Sequence, residues 1–166
     1  MIERTLVLVK PDGVARGLVG EIISRFEQRG LKIGAIKIVR VPEELAKKHY
    51  DYNDIAKRRG EPVWKRLVKM LAGHVVVAMA VEGIEAIALV RKICGETEPK
   101  AALPGTIRGD FAHHSYKYAD SKDLAIYNLV HASSDAKDAE REIKLWFKKD
   151  ELVNYKRSDE AFHYGE

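Results

Sequence analysis

His131 is the side chain in this sequence with the clearest opening for chemistry. It ends an alternating apolar run, Leu124 to Val130, and a few residues later Ala139, Ile143, Trp146 and Phe147 recur at helical spacing. Between the two patterns, Ser133, Ser134 and Asp135 offer oxygen acceptors to the free N–H groups of a helix's first turn, a place that also attracts anions. An imidazole that titrates near neutral pH, set beside such a helix start, is a candidate nucleophile toward phosphorus. Strand alternation puts Asn128 on the opposite face from His131 unless the backbone bends. Glu142 lies about two turns, or ~11 Å, along the helix from its cap, so its carboxylate reaches His131 only if the strand end packs across that helix. A solitary histidine at a strand end is more commonly a surface or packing residue, so the remainder of the chain has to decide.

The elements that would position these groups follow from periodicity. Thr5 to Val9 is a continuous apolar run, read as a strand buried on both faces, with Lys10 at its rim before Pro11-Asp12-Gly13 stops it. Val19, Ile22, Ile23 and Phe26 share one helical face before Gly30. Leu31 to Val41 is a second strand, irregular near Ile33-Gly34-Ala35-Ile36. Pro42 suits a first helical position, so Glu43 to Tyr50 reads as a short helix. A polar connector, Asp51 to Glu61, leads to a helix carrying Val63, Leu67, Val68 and Leu71.

His74 to Val81 is a third, central strand, and Ile84 to Ile93 a helix with Arg91 on its apolar stripe, where snorkelling to water is the plain alternative to a specific role. Gly95 to Asp110 lacks periodicity, and a loop of that length is functional or disordered. The polar, aromatic segment Ala112 to Asp123 extends it. Leu124 to His131 is the fourth strand and Ala136 to Lys149 the last helix, followed by a polar tail. The order predicts an α+β, ferredoxin-like βαββαβ fold: a four-stranded antiparallel sheet with helices on one face, an inserted helical hairpin and a C-terminal helix.

Composition narrows the function classes. Among 166 residues Cys94 stands alone, which excludes a disulfide framework and points to a reducing, cytoplasmic setting. No apolar run approaches the ~18 residues of a membrane span. The net charge of +4 is spread along the chain, without a Lys/Arg block, and suits an anionic small substrate as well as a polynucleotide. A nucleic-acid-binding sheet would stack bases on exposed aromatic residues, and the first and third strands carry none. No obligatory nucleic-acid partner is expected.

Four pieces of the sequence, in order, resemble nucleoside diphosphate kinase. They are Val9-Lys10-Pro11-Asp12-Gly13-Val14, then Gly95-Glu96-Thr97-x-Pro99 with Pro104-Gly105-Thr106-Ile107-Arg108-Gly109-Asp110-Phe111, then Asn128-x-x-His131-Ala132-Ser133, and the helix from Ala139 to Phe147. The resemblance implies one domain over residues 1–149, with 150–166 as its tail, and ping-pong transfer of the γ-phosphoryl group of a nucleoside triphosphate such as ATP to a nucleoside diphosphate through phosphohistidine. His131 matches the family's nucleophile, and Glu142 with Ser133 the pair that orients its ring. Arg91, Thr97 and Arg108 match phosphate ligands. Lys10 and Asn128 match groups near the ribose and terminal phosphate, Tyr50 a tyrosine near the site, and Val63 and Leu67 positions on the nucleotide-binding side. Mg²⁺, held mainly by the nucleotide phosphates, is the implied cofactor, with no dedicated protein metal ligands. A homohexamer, or alternatively a tetramer, is the implied assembly.

The sequence also departs from the family pattern. Ala132 replaces a usual glycine, so the turn there must avoid a glycine-only conformation. Ser134-Asp135 reverses a usual Asp-Ser order, and either caps a helix. Where the family stacks the base on phenylalanine opposite an apolar residue, this chain has Val63 and Ala125, both small. Segments 51–61 and 112–123 are longer than in the commonest members. His113 and His114 are expected in a surface loop, and His49, His74 and His163 in packing or exposed roles.

Overall fold

The computed structural model describes residues 1–165. The chain runs β1 (Ile2–Val9), α1 (Pro11–Ala15), α2 (Val19–Glu27), β2 (Lys32–Arg40), α3 (Glu43–His49), α4 (Tyr52–Arg59), α5 (Glu61–Leu71), β3 (Val75–Ile84), α6 (Ala86–Cys94), α7 (Ile107–Phe111), α8 (Tyr116–Ser121), β4 (Val130–Ala132), α9 (Ala136–Trp146) and α10 (Glu160–Tyr164). The strands form one antiparallel sheet in the order β2-β3-β1-β4, the expected ferredoxin-like arrangement. The irregularity expected in β2 is present as a register shift between Ile33 and Ala35.

β1 is central and apolar on both sides because both sides are covered. Leu6 and Leu8 pack with Ala46, Leu71, Ile143 and Trp146, whereas Val7 and Val9 pack with Ile22, Phe26 and Val90. The placement of helices on one face therefore holds for α2 and α6, joined there by α7 through Ile107. The inserted α3 and α5, with α9, cover the other face, which is why β1 and β3 read as unbroken apolar runs rather than alternating ones.

Several element boundaries differ from the sequence reading. The connector 51–61 contains α4, a helix with no buried residue, started by the Asp51 side chain accepting the Asp54 N–H and supported by an Asp54–Arg58 pair. Such a helix has no apolar stripe for periodicity to detect. Pro42 is the cap of α3 rather than its first helical residue. β3 continues to Ile84, so α6 begins at Ala86. The segment 95–110 is ordered by a 3₁₀ turn at Pro99–Ala101 and by α7, and 112–123 contains α8.

The fourth strand is shortened to Val130–Ala132. Continuing it backwards would require partners beyond Val9, where β1 gives way to Pro11 and α1. The tail is strapped to β2: the Val153 N–H donates to the Gly34 carbonyl at 2.8 Å, and buried Lys32 pairs with Glu160 at 3.0 Å and Glu82 at 3.3 Å.

Candidate active site

β4 sets His131 opposite Leu8 of β1, and α9 then packs back across β1. Of the three acceptors expected at the helix start, Asp135 is the cap, taking the Asp138 N–H at 2.8 Å. Ser133 instead lies fully buried beneath His131. Its Oγ accepts the Leu6 N–H at 3.2 Å and donates to Glu142 Oε2 at 2.7 Å. The same Oε2 is 2.9 Å from His131 Nε2.

Burial opposes ionisation of Glu142, but the His131 charge and hydrogen bond, His49 and the Ser133 hydroxyl outweigh it and hold the carboxyl at about 2. A carboxylate can only accept, so Nε2 of His131 is the donor, and in the neutral imidazole the lone pair is then on Nδ1. The His131 side chain is 22% exposed, enough for that nitrogen to be approached.

The bend that strand alternation would have forbidden is at Leu129, whose φ of 69° lies in the left-handed region. It is held from several sides. The Leu129 N–H donates to Asp12 Oδ2 at 2.9 Å and its carbonyl accepts the Lys10 N–H at 2.8 Å. Gly13 is pressed against the same carbonyl, and a Cβ there would sit 3.0 Å from it and 2.8 Å from Val9. Ala132 itself has no positive φ, so alanine is accommodated there without strain.

The bend turns Asn128 to the same cleft as His131. Asn128 Oδ1 accepts from Lys10 Nζ at 2.7 Å, and its Nδ2 donates to the Thr97 carbonyl at 2.8 Å, tying segment 95–110 to the site. Burial lowers the Lys10 ammonium to about 8, with Asp12 opposing and Arg108 reinforcing the fall. Arg108, also buried, spends its guanidinium on the carbonyls of Asn128, Gly95 and Val130 at 3.2, 2.7 and 2.8 Å.

Lys10, Tyr50, Leu67, Arg91, Thr97, Arg108, Asn128, His131 and Glu142 all line one cleft of about 330 Å³. Val63 does not. It lines a neighbouring hollow that shares Leu67 with the cleft. Arg91 stands exposed at the rim rather than merely snorkelling away from it, since α6 ends where Gly95 and Thr97 join the cleft wall.

His49 belongs to this site although nothing in the sequence marked it. It is buried, accepts the Trp146 indole N–H on Nδ1 at 3.2 Å, and stands edge-on to His131. Arg58 and Arg59 of α4 and Arg141 of α9 also line the cleft, so its mouth is basic. A cluster of arginines ending a polar connector was the one available signal for the α4 pair. His74 and His113 are exposed, His163 rests on Gly30, and His114 lies between Tyr118 and Tyr127.

Among the described residues one group of three metal-capable side chains, His49, His131 and Glu142, comes within 4.8 Å. Two nitrogens and one carboxylate do not suit Mg²⁺, which takes oxygens, and the carboxylate is already paired. The nearby Asp54 is paired with Arg58 and Asp51 caps α4. No described helix is long and apolar enough to cross a membrane.

Residues 3–152 match the family model described as nucleoside diphosphate kinase. The chain is 55% identical over 164 residues to the nucleoside diphosphate kinase of Borreliella burgdorferi, covering 99% of this chain and 98% of that one. It is 52% identical over 161 residues to that of Pyrococcus abyssi, covering 97% and 94%. Among solved structures, the Borrelia burgdorferi enzyme as a transition-state mimic with bound vanadate and ADP superposes with a TM-score of 0.97 at 55% identity, over 98% of this chain and 97% of that one. The Halobacterium salinarum enzyme in complex with CDP gives 0.84 at 42% identity, over 99% of each chain. With a family model matching residues 3–152 and relatives more than half identical over nearly its whole length, this chain belongs to the nucleoside diphosphate kinase family, phosphotransferases that exchange a phosphoryl group between nucleoside triphosphates and diphosphates through phosphohistidine.

Proposed function

We propose that His131 carries the phosphoryl group and that the cleft around it divides the remaining tasks. The Nδ1 lone pair attacks the γ-phosphorus of a nucleoside triphosphate. As the N–P bond forms, the bond to the β,γ-bridging oxygen breaks and its electrons leave with the nucleoside diphosphate. A second nucleoside diphosphate then attacks the phosphorus with its terminal oxygen and the N–P electrons return to Nδ1. No proton has to move, because Nε2–H stays on the ring throughout and Glu142 offsets the positive charge that the phosphorylated imidazole acquires. The observation that carries this reading is the Nε2–Glu142–Ser133 chain, which fixes ring orientation and tautomer together.

Lys10, Arg91, Thr97 and Arg108 grip the phosphates, and Lys10 with Asn128 also meets the ribose. Tyr50, Leu67 and, at one remove, Val63 form the nucleoside side. Mg²⁺ held through the nucleotide phosphates supplies charge neutralisation when bound. A 55%-identical relative solved as a transition-state mimic with bound vanadate and ADP supports an adenine nucleotide as a substrate.

The assembly is a homohexamer, with a tetramer as the alternative. The exposed Ile36 and Ile38 on edge strand β2 support self-association. Residues 1–149 form the catalytic domain and 150–166 its attached tail, a reading supported by the tail's hydrogen bonds to β2. A cytoplasmic location agrees with a single buried cysteine.

Incubation with ATP and Mg²⁺ is expected to place an acid-labile, base-stable phosphate on His131. His131→Ala should lose both the label and nucleotide exchange, and full exchange in that variant overturns the assignment.

A further inference from the structure

Lys10 and Asp12, either side of Pro11, hold the bend at Leu129 from both of its backbone polar groups. The Lys10 N–H donates to the Leu129 carbonyl at 2.8 Å, and Asp12 Oδ2 accepts the Leu129 N–H at 2.9 Å. A leucine meets a steric penalty in the left-handed region that glycine does not, so this conformation persists only where its surroundings impose it. Asp12 is the side chain that accepts the N–H, and the bend it holds is the one that brings Asn128 into the cleft.

The second oxygen of the same carboxylate is unpaired. Asp12 Oδ1 is buried without a hydrogen-bond partner, and Asp12 makes no ion pair among the described residues. Lys10 is buried as well, yet its ammonium donates to two uncharged acceptors, Asn128 Oδ1 at 2.7 Å and the Ile126 carbonyl at 3.2 Å, rather than to the carboxylate. The charged and titratable groups around that ammonium are Asp12 on α1, Arg108 on α7, His49 and Tyr50 at the end of α3, His114 in segment 112–123, and His131 with Glu142 across the cleft. Of the two carboxylates in this group, Glu142 is engaged by His131 and Ser133, whereas the charge of Asp12 is unpaired. In a low-dielectric interior such a charge acts beyond contact distance, so Asp12 favours the ammonium form of Lys10 while leaving its N–H groups to a substrate phosphate.

We propose that Asp12 is a positioning residue for phosphoryl transfer: one carboxylate oxygen holds the bend that presents Asn128, and its unpaired charge sustains the Lys10 ammonium for the nucleotide phosphates without pairing with it. This inference rests on the reading of Lys10 and Asn128 as nucleotide-binding groups. Asp12 touches no substrate itself; it acts through the Leu129 backbone and through the field at Lys10. The two tasks are separable, because the first needs only an acceptor and the second needs a negative charge.

Asp12→Asn and Asp12→Ala on the full-length enzyme test the tasks apart. Asparagine keeps an acceptor for the Leu129 N–H and removes the charge, whereas alanine removes both. In calorimetric titrations, the pH above which ADP affinity weakens is expected to move from about 8 in the wild type to about 7 in both variants. At pH 6, where Lys10 is charged in all three proteins, single-turnover phosphorylation of His131 at saturating ATP is expected to stay near wild type in Asp12→Asn and to slow about tenfold in Asp12→Ala, the share of chains lost from the bent conformation. An unmoved pH break in Asp12→Asn overturns the proposal, as do equal rates in the asparagine and alanine variants at pH 6. Should Asp12→Ala fail to fold, the pH break of Asp12→Asn decides alone. A wild type without a break, or a Lys10→Met variant that keeps one, overturns the reading of Lys10 and this inference with it.

Discussion

The imidazole of His49 stands edge-on to that of His131, ring centroids 4.4 Å apart and planes at 82°, although about half the chain separates the two. His49 is fixed by the Trp146 indole N–H on its Nδ1, so it is neutral with its proton on Nε2. Burial, then the His131 charge, push its pKa well below the ordinary 6.5. A buried wall behind the nucleophile limits ring rotation, and its Nδ1 lies 3.8 Å from Glu142 Oε1, the oxygen that His131 does not use.

The first prediction follows from that wall. His49→Ala leaves a void against His131 and is expected to cost about 2–4 kcal/mol in denaturant unfolding and to slow His131 phosphorylation more than it weakens nucleotide binding. The sign of its pH dependence is determined. The unfolded chain binds a proton on this histidine below 6.5 and the folded chain does not, so His49 costs nothing above 6.5. Stability falls as pH drops below it, by up to about 1.4 kcal/mol per unit. Denaturant midpoints at pH 7 and pH 5.5 in wild type and His49→Phe check this: the wild type should lose more on acidification.

Lys10 provides a second pH signature, in binding rather than stability. Its ammonium is lowered to about 8 in the free cleft by burial. Nucleotide phosphates favour the charged form, so affinity for ADP is expected to be flat below pH 8 and to weaken above it, by no more than about tenfold per unit. Lys10→Met should remove that slope and weaken binding at pH 7. Calorimetric titration between pH 6.5 and 9.5 measures both.

Arg108 carries the third. Its three hydrogen bonds to the carbonyls of Gly95, Asn128 and Val130 join segment 95–110 to the bend at Leu129. Arg108→Met would remove three hydrogen bonds to carbonyls, of which that of Asn128 keeps the Val130 N–H, and is expected to cost about 2–4 kcal/mol in unfolding free energy, together with loss of exchange activity. Arg108→Lys should recover only part of the stability, since one ammonium cannot span three separated acceptors. A stable, inactive Arg108→Met variant would mean that the residue acts on phosphate alone.

Legibility in the sequence tracked the physical range of each signal. Apolar runs revealed β1 and β3 because both faces of those strands are buried, and helical spacing revealed α2, α5, α6 and α9. α4 and α8 were hidden because helices stabilised by caps and surface charge pairs carry no apolar stripe. β4 was overlong in the reading because alternation from Leu124 continued past the point where β1 has backbone to pair with.

Residue type and local spacing determined by themselves that His131 ends a strand before a capped helix, that Lys10 sits at a strand rim, and, through four ordered motifs, which family the chain belongs to. Only the tertiary structure decided that Asn128 shares a cleft with His131, that Glu142 returns to within 2.9 Å of it, and that His49 forms its back wall. Those outcomes depend on one left-handed residue, Leu129, and on α9 folding across β1. The bend is held by groups distant in the chain, Asp12, Gly13 and Arg108, whose influence acts through space and leaves no trace in local periodicity.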